Sequence, residues 1–144
     1  MFGGTGEQRE RLCAANPETR GGPMNHSHEV REELSTPAMA LRGLIPEVMR
    51  SYGELSRAAM TPGELSSSTK ELLAIVIAIT RECDGCIVSH TRSAVRVGVT
   101  RQALAEAVGV AILMNGGPGT VWGPRALRSY DEAVSDIMRD APAP

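Results

Sequence analysis

Apolar residues recur at helical spacing along most of the chain after residue 35. Leu41, Leu44, Ile45, Val48, Met49, Tyr52 and Leu55 fall three or four apart, which lines them along one side of a helix. Ser35-Thr36-Pro37 precedes them and reads as a helix start, a capping hydroxyl with proline near the first turn. Pro46 lacks an amide hydrogen and crowds the preceding turn, so it divides this stretch into a short helix and one of about four turns. Thr61-Pro62-Gly63 is a turn. Leu65-Ser66-Ser67-Ser68 caps a helix running to about Arg81, and its segment LLAIVIAI is apolar all round, as in a buried central helix. A buried parallel strand gives the same local signal. The capped start and the extension through Thr69-Lys70-Glu71 favour helix.

A break falls near Glu82, and a new helix opens at Cys83-Asp84. It carries Ile87, Val88, Ala94, Val95 and Val97 and stops at Gly98. Thr100 caps the next helix, which turns Leu104, Ala107, Val108, Ala111, Ile112 and Met114 inward. Asn115-Gly116-Gly117 ends it and Pro118 starts the last, with a buried stripe of Ala126, Leu127, Tyr130, Ala133, Val134, Ile137 and Met138. Gly123-Pro124 should kink this helix near its start. No repeat of 20–50 residues is visible. The pattern predicts an all-α domain over residues 26–144, a bundle of about six helices with short loops. Residues 1–25 are polar, rich in Gly and Arg and without apolar period, and are expected to be a mobile extension outside the core.

Composition narrows the function classes. A chain of 144 residues suits one domain, and 42% hydrophobic content supports a core. Aromatics are 3%, namely Phe2, Tyr52, Trp122 and Tyr130. That is too few for an aromatic-rich β fold or a base-stacking platform. The net charge of −2, with Lys70 the single lysine, leaves no basic footprint for nucleic acid. No segment approaches the roughly 20 apolar residues of a membrane span, and the opening MFGGTGEQRER lacks a signal-peptide centre. The expectation is a cytoplasmic protein. There are three cysteines, which cannot all pair within one chain and do not resemble a secreted disulfide scaffold. Cys83 and Cys86 form a C-x-x-C, either a redox pair or half a metal site.

The informative set is Glu71, Cys83, Cys86 and His90. If the helices on either side of residue 82 fold back as a hairpin, residues equidistant from the turn face each other. Reflecting position 71 through 82 lands at 93, within one turn of His90, an axial offset of about 4.5 Å. His90 lies four residues after Cys86, on the same helix face. Cys83 and Cys86 are close enough for a disulfide. The spacing allows a line of acid, imidazole and two sulfurs on a central hairpin, with the C-x-x-C at the start of its second helix. A helix N-terminus favours thiolate, the reactive form. His90 can take the thiol proton and Glu71 can fix the imidazole tautomer. A thiolate can attack a peroxide and pass through sulfenic acid to a disulfide.

Plainer readings accompany each residue. Glu71 could be a capping-box partner of Ser68, His90 a structural histidine, and the cysteines inert buried thiols. The four groups could instead bind zinc, although a closed structural site usually adds a second Cys/His pair. Cys13 reads as incidental, and His26 and His28 as solvent-facing. Residues 115–119 lack the Gly-Lys-Ser/Thr ending of a phosphate loop. Trp122 and Tyr130 read as core or subunit interface, and Arg125 as solvated or facing a pocket.

Glu71, Cys83-Asp84-Gly85-Cys86 and His90 resemble the pattern of AhpD-like alkylhydroperoxidases, within the carboxymuconolactone decarboxylase superfamily. The likeness covers about residues 36–138, including ELLAIVIAIT, SHTRSAVRVGV and MNGGPGTVWGPRAL. It implies an all-α, AhpD-like fold assembled as a trimer or hexamer. It also implies reduction of hydroperoxides through the two cysteines, recharged by a dithiol such as a lipoyl-bearing protein. Neither metal nor cofactor is implied. By this resemblance Cys86 attacks the peroxide and Cys83 resolves; helix-dipole reasoning by itself favours Cys83. Gly85 departs from members with His or an aromatic there, which removes one proton-relay group. The cysteine pair sets the chain apart from the decarboxylase branch. A non-redox lyase on the same fold, a zinc-binding module and a non-catalytic scaffold stand as the other readings.

Overall fold

The computed structural model describes residues 26–140. Six helices follow in order: α1 (His26–Leu44), α2 (Pro46–Met60), α3 (Ser67–Thr80), α4 (Asp84–Arg96), α5 (Arg101–Asn115) and α6 (Gly117–Arg139). No strand occurs among the described residues. The polar extension and Cys13 lie outside them.

Caps define the central helices. Ser66 Oγ accepts from the Thr69 amide at 3.1 Å and starts α3. Thr100 Oγ1 accepts from the Ala103 amide at 3.1 Å and starts α5. Each satisfies an amide that the first helical turn leaves without a partner. The helix ends are equally regular. After α3, the Cys83 amide bonds to Ala78 O at 3.0 Å and the Glu82 amide to Ile79 O at 3.1 Å. After α4, the Val99 amide bonds to Ala94 O at 2.9 Å and the Gly98 amide to Val95 O at 3.1 Å. Both are Schellman closures, which need one left-handed residue. Gly98 supplies it at φ 80°, and Glu82 adopts it at φ 54° without glycine's freedom. That closure reverses the chain tightly enough to lay α4 back along α3.

The core lies among α3, α4, α5 and α6. Ile75, Ile79, Ile87, Leu104 and Tyr130 are almost fully buried there. Each large side chain so buried contributes about 1.5–3 kcal/mol. The Tyr130 hydroxyl donates to Val99 O at 2.6 Å; burial pushes its pKa up to about 12. Beside it, Arg101 holds Asp131 in two parallel bonds, from Nε at 2.8 Å and Nη2 at 3.1 Å.

The α5 and α6 backbones approach closely at Gly119. A Cβ at that position would stand 2.8 Å from Ile112 Cα and 3.1 Å from Ala111 O. Backbone atoms cannot swing aside, so Gly119→Ala should destabilise the protein by about 1–3 kcal/mol or more. Gly43, with open space around its Cβ position, provides the contrast. Gly43→Ala should stabilise by about 0.5–1 kcal/mol through the backbone alone. Urea midpoints of the two variants check this pair.

Three expectations are corrected. Ser35-Thr36-Pro37 does not start a helix, because α1 runs through Pro37 from His26. Pro37 faces solvent with its neighbours at 32–40, so water can satisfy the carbonyl that proline leaves unbonded. The segment 72–79 is not buried all round, since Leu73 and Ile77 are half exposed. Met114 points outward, 77% exposed.

The first half of α1 docks through polar contacts that only the tertiary fold creates. Ser27 Oγ meets Ser129 Oγ at 3.0 Å, and Ser129 Oγ meets Thr91 Oγ1 at 2.8 Å. The Glu132 carboxylate accepts from the Ser27 amide and from Arg128 Nε, each at 2.9 Å. Burial raises the Glu132 pKa, but hydrogen bonds from Ser27 and Arg128 outweigh it and hold the group below the usual carboxylate range. A folded pKa below the unfolded one stabilises the fold above the unfolded pKa and is lost as pH falls through the folded one. The urea midpoint should therefore drop through the acid carboxylate range, and Glu132→Gln should flatten that slope.

Candidate functional site

Glu71 and His90 meet across the α3–α4 hairpin, with Glu71 Oε2 2.8 Å from His90 Nδ1. Because α3 is capped at Ser66, Glu71 lies inside the helix and is not a capping partner of Ser68. Its side chain is 10% exposed, and that of His90 is 33% exposed. A carboxylate can only accept, so Nδ1 carries the proton and a neutral ring keeps Nε2 as a base. Burial of Glu71 behind a half-exposed imidazole thus orients a single proton acceptor toward the open side.

Cys83 is the N-cap of α4 and is joined by a disulfide to Cys86, with Cα atoms 5.2 Å apart. The Cys86 amide donates to Cys83 Sγ at 3.3 Å. Cys86 is exposed and Cys83 half-buried. The helix N-terminus and this amide would both favour negative charge on Cys83 once the bond is reduced. His90 follows Cys86 by one turn, in the register that shares a helix face. In this disulfide form His90 has no hydrogen bond to either sulfur. All four residues singled out from the sequence therefore lie on one hairpin: two in direct contact, two covalently linked.

The structure adds groups that the sequence reading set aside. His26 is not simply solvent-facing, because its Nε2 lies 2.7 Å from Asp84 Oδ2. Leu34 Cδ1 would stand 3.0 Å from a Cβ at residue 85, so the half-exposed end of Leu34 brings α1 over the C-x-x-C turn. No local signal marks either contact, since His26 and Asp84 are 58 residues apart. Arg125 stacks over Trp122 at 4.4 Å from the ring centroid. Among the described residues no three His, Cys, Asp or Glu side chains are grouped as metal ligands, and no helix is long and apolar enough to cross a membrane.

Known proteins share this architecture. A carboxymuconolactone decarboxylase family protein from Legionella pneumophila matches with a TM-score of 0.74 and 32% identity, over 77% of this chain and 99% of that one. A Thermotoga maritima structure shares the fold at a TM-score of 0.63 and 24% identity, over 82% of this chain and 100% of that one. An uncharacterized protein of Cupriavidus necator is 35% identical over 99 residues, which is 69% of this chain and 88% of the relative. An uncharacterized protein encoded in the cox locus of Paracoccus denitrificans is 35% identical over 78 residues, 54% of this chain and 70% of the relative. Residues 46–129 match the family pattern itself, and the chain belongs to the carboxymuconolactone decarboxylase family.

Proposed function

We propose that the protein is an enzyme, a dithiol-dependent reductase of hydroperoxides. The observation that carries this reading is the contact of buried Glu71 with the partly exposed His90, one helical turn from a Cys83–Cys86 disulfide. In the reduced protein, His90 Nε2 takes the Cys86 thiol proton. The thiolate attacks the peroxide: an S–O bond forms, the O–O bond breaks, and the departing alkoxide leaves as alcohol with the proton from His90. Cys83 then attacks the sulfenic sulfur, which forms the disulfide and releases water. An external dithiol, such as a lipoyl-bearing protein, returns both cysteines to thiols in a reducing compartment such as the cytoplasm. Glu71 positions the imidazole throughout and stabilises it when protonated.

The test is dithiol-dependent consumption of an organic hydroperoxide. The reading expects alcohol formation in proportion to dithiol oxidised. Activity on a lactone that survives in a Cys83→Ala, Cys86→Ala double variant would place the protein on the lyase side of the family instead.

We further propose that the protein works as a homo-oligomer, a trimer or hexamer. No residue of α2 is buried, although Val48, Tyr52 and Leu55 form an apolar face there, continued by Leu41 and Leu44. A contiguous apolar face of this kind marks an association surface. Light scattering should give a mass several times that of one chain, and Tyr52→Glu with Leu55→Glu should reduce it to the monomer.

A further inference from the structure

A groove of about 330 Å³ runs between α1 and α4 and is bounded at one end by Gly85, the chain neighbour of Cys86; Cys83, Cys86 and His90 do not line it themselves. Its volume suits a small organic ligand. Val30, Leu34, Ala38 and Val88 give it an apolar lining, and no acidic side chain lines it among the described residues. Arg31, Arg92 and Arg96 line it as well. Asp136 lies 3.3 Å from Arg92, 3.6 Å from Arg31 and 2.5 Å from Arg139, and Asp140 lies 3.9 Å from Arg92. With Arg96 included, four guanidinium groups stand against two carboxylates. Arg96 is exposed and has no ion partner among the described residues.

Arg92 and Arg96 follow Gly85 by seven and eleven residues along α4, about 10 and 16 Å at the helical rise. That is the length of an extended medium-chain aliphatic acid. From this match of apolar lining, cationic end and length, we infer that the groove binds such a carboxylate. Its anionic end sits at Arg92 and Arg96, with its tail toward Gly85. The thiol pair then acts on carboxylate-bearing hydroperoxides whose oxidised carbon lies at the tail end. This last step rests on the reductase reading; binding does not.

Octanoate and octanol, titrated into the full chain and followed by amide NMR shifts, test the binding. Octanoate should give saturable shifts at Gly85 and Ser89 and bind about tenfold more tightly than octanol, the contribution of one charge-assisted contact. Arg96→Ala should remove that advantage and leave octanol unchanged. Ala38→Phe, which fills the apolar lining from an exposed position, should weaken both. Equal affinity for acid and alcohol, shifts outside the groove, or unchanged octanoate binding in Arg96→Ala would overturn the proposal. Kinetics separate it from the reductase reading: KM for a carboxylate-bearing hydroperoxide should be about tenfold below that of a neutral one of equal length, and equal KM values would overturn the substrate assignment while octanoate binding still stood.

Discussion

Cys86→Ser should lower hydroperoxide turnover by on the order of 10³-fold or more, the scale on which enzymes lose rate when the nucleophile is removed. A serine hydroxyl does not ionise at neutral pH and forms no sulfenic acid. The fold should be unaffected, because Cys86 is exposed at the start of α4. Cys83→Ser separates the roles of the two sulfurs. If Cys86 attacks, Cys83→Ser retains one stoichiometric reduction of peroxide and stops at sulfenic acid, which a dimedone-type trap detects by mass. If the helix-end position of Cys83 makes it the nucleophile, the two variants exchange behaviour. Steady-state and single-turnover assays on the same preparations distinguish these outcomes.

His90→Ala should cost about 10²–10⁴-fold in turnover, the usual contribution of a positioned general acid–base. The loss should shrink as pH rises toward the free thiol's ordinary pKa near 8.5, where solvent ionises the sulfur without help. Glu71→Gln should give a smaller loss, about 10–100-fold, comparable with removal of other groups that orient a functional histidine. The amide can still occupy the 2.8 Å contact with Nδ1, but it donates as readily as it accepts and so no longer holds the proton on Nδ1. A purely structural Glu71 would change stability in urea without altering the pH profile of turnover, so both are measured.

The geometry of the candidate site was legible because its logic is local. Helix spacing places Cys86 and His90 on one face, and a hairpin about residue 82 brings Glu71 to His90; both follow from the helical repeat and one turn. The caps at Ser66 and Thr100 and the stop at Gly98 likewise carry their own chemical signal. What escaped depends on contacts far apart in the chain. Pro37 reads as a helix start until Ser27 is seen bonded to Ser129, 102 residues away, an anchor that holds the N-terminal half of α1 in place. The same anchoring explains His26, whose partner Asp84 lies on another helix. The apolar repeat of 41–55 was visible as a helix face, but periodicity identifies that a face is apolar and not what covers it. Val48, Tyr52 and Leu55 on that face are exposed in the single chain. Gly85 is a similar case: as a departure from the family pattern it is only a missing relay group, whereas in the fold it is the point where Leu34 crosses the cysteine turn.

The central claim is that Cys83 and Cys86 act together as a peroxide-oxidised pair. A thiol count on fully reduced protein treated with one equivalent of organic hydroperoxide tests it most directly. The chain carries three cysteines, so the expected result is a fall from three thiols to one, with a single peptide cross-linked between Cys83 and Cys86 and full recovery on adding dithiol. Three thiols remaining, or oxidation confined to Cys13, would contradict the account.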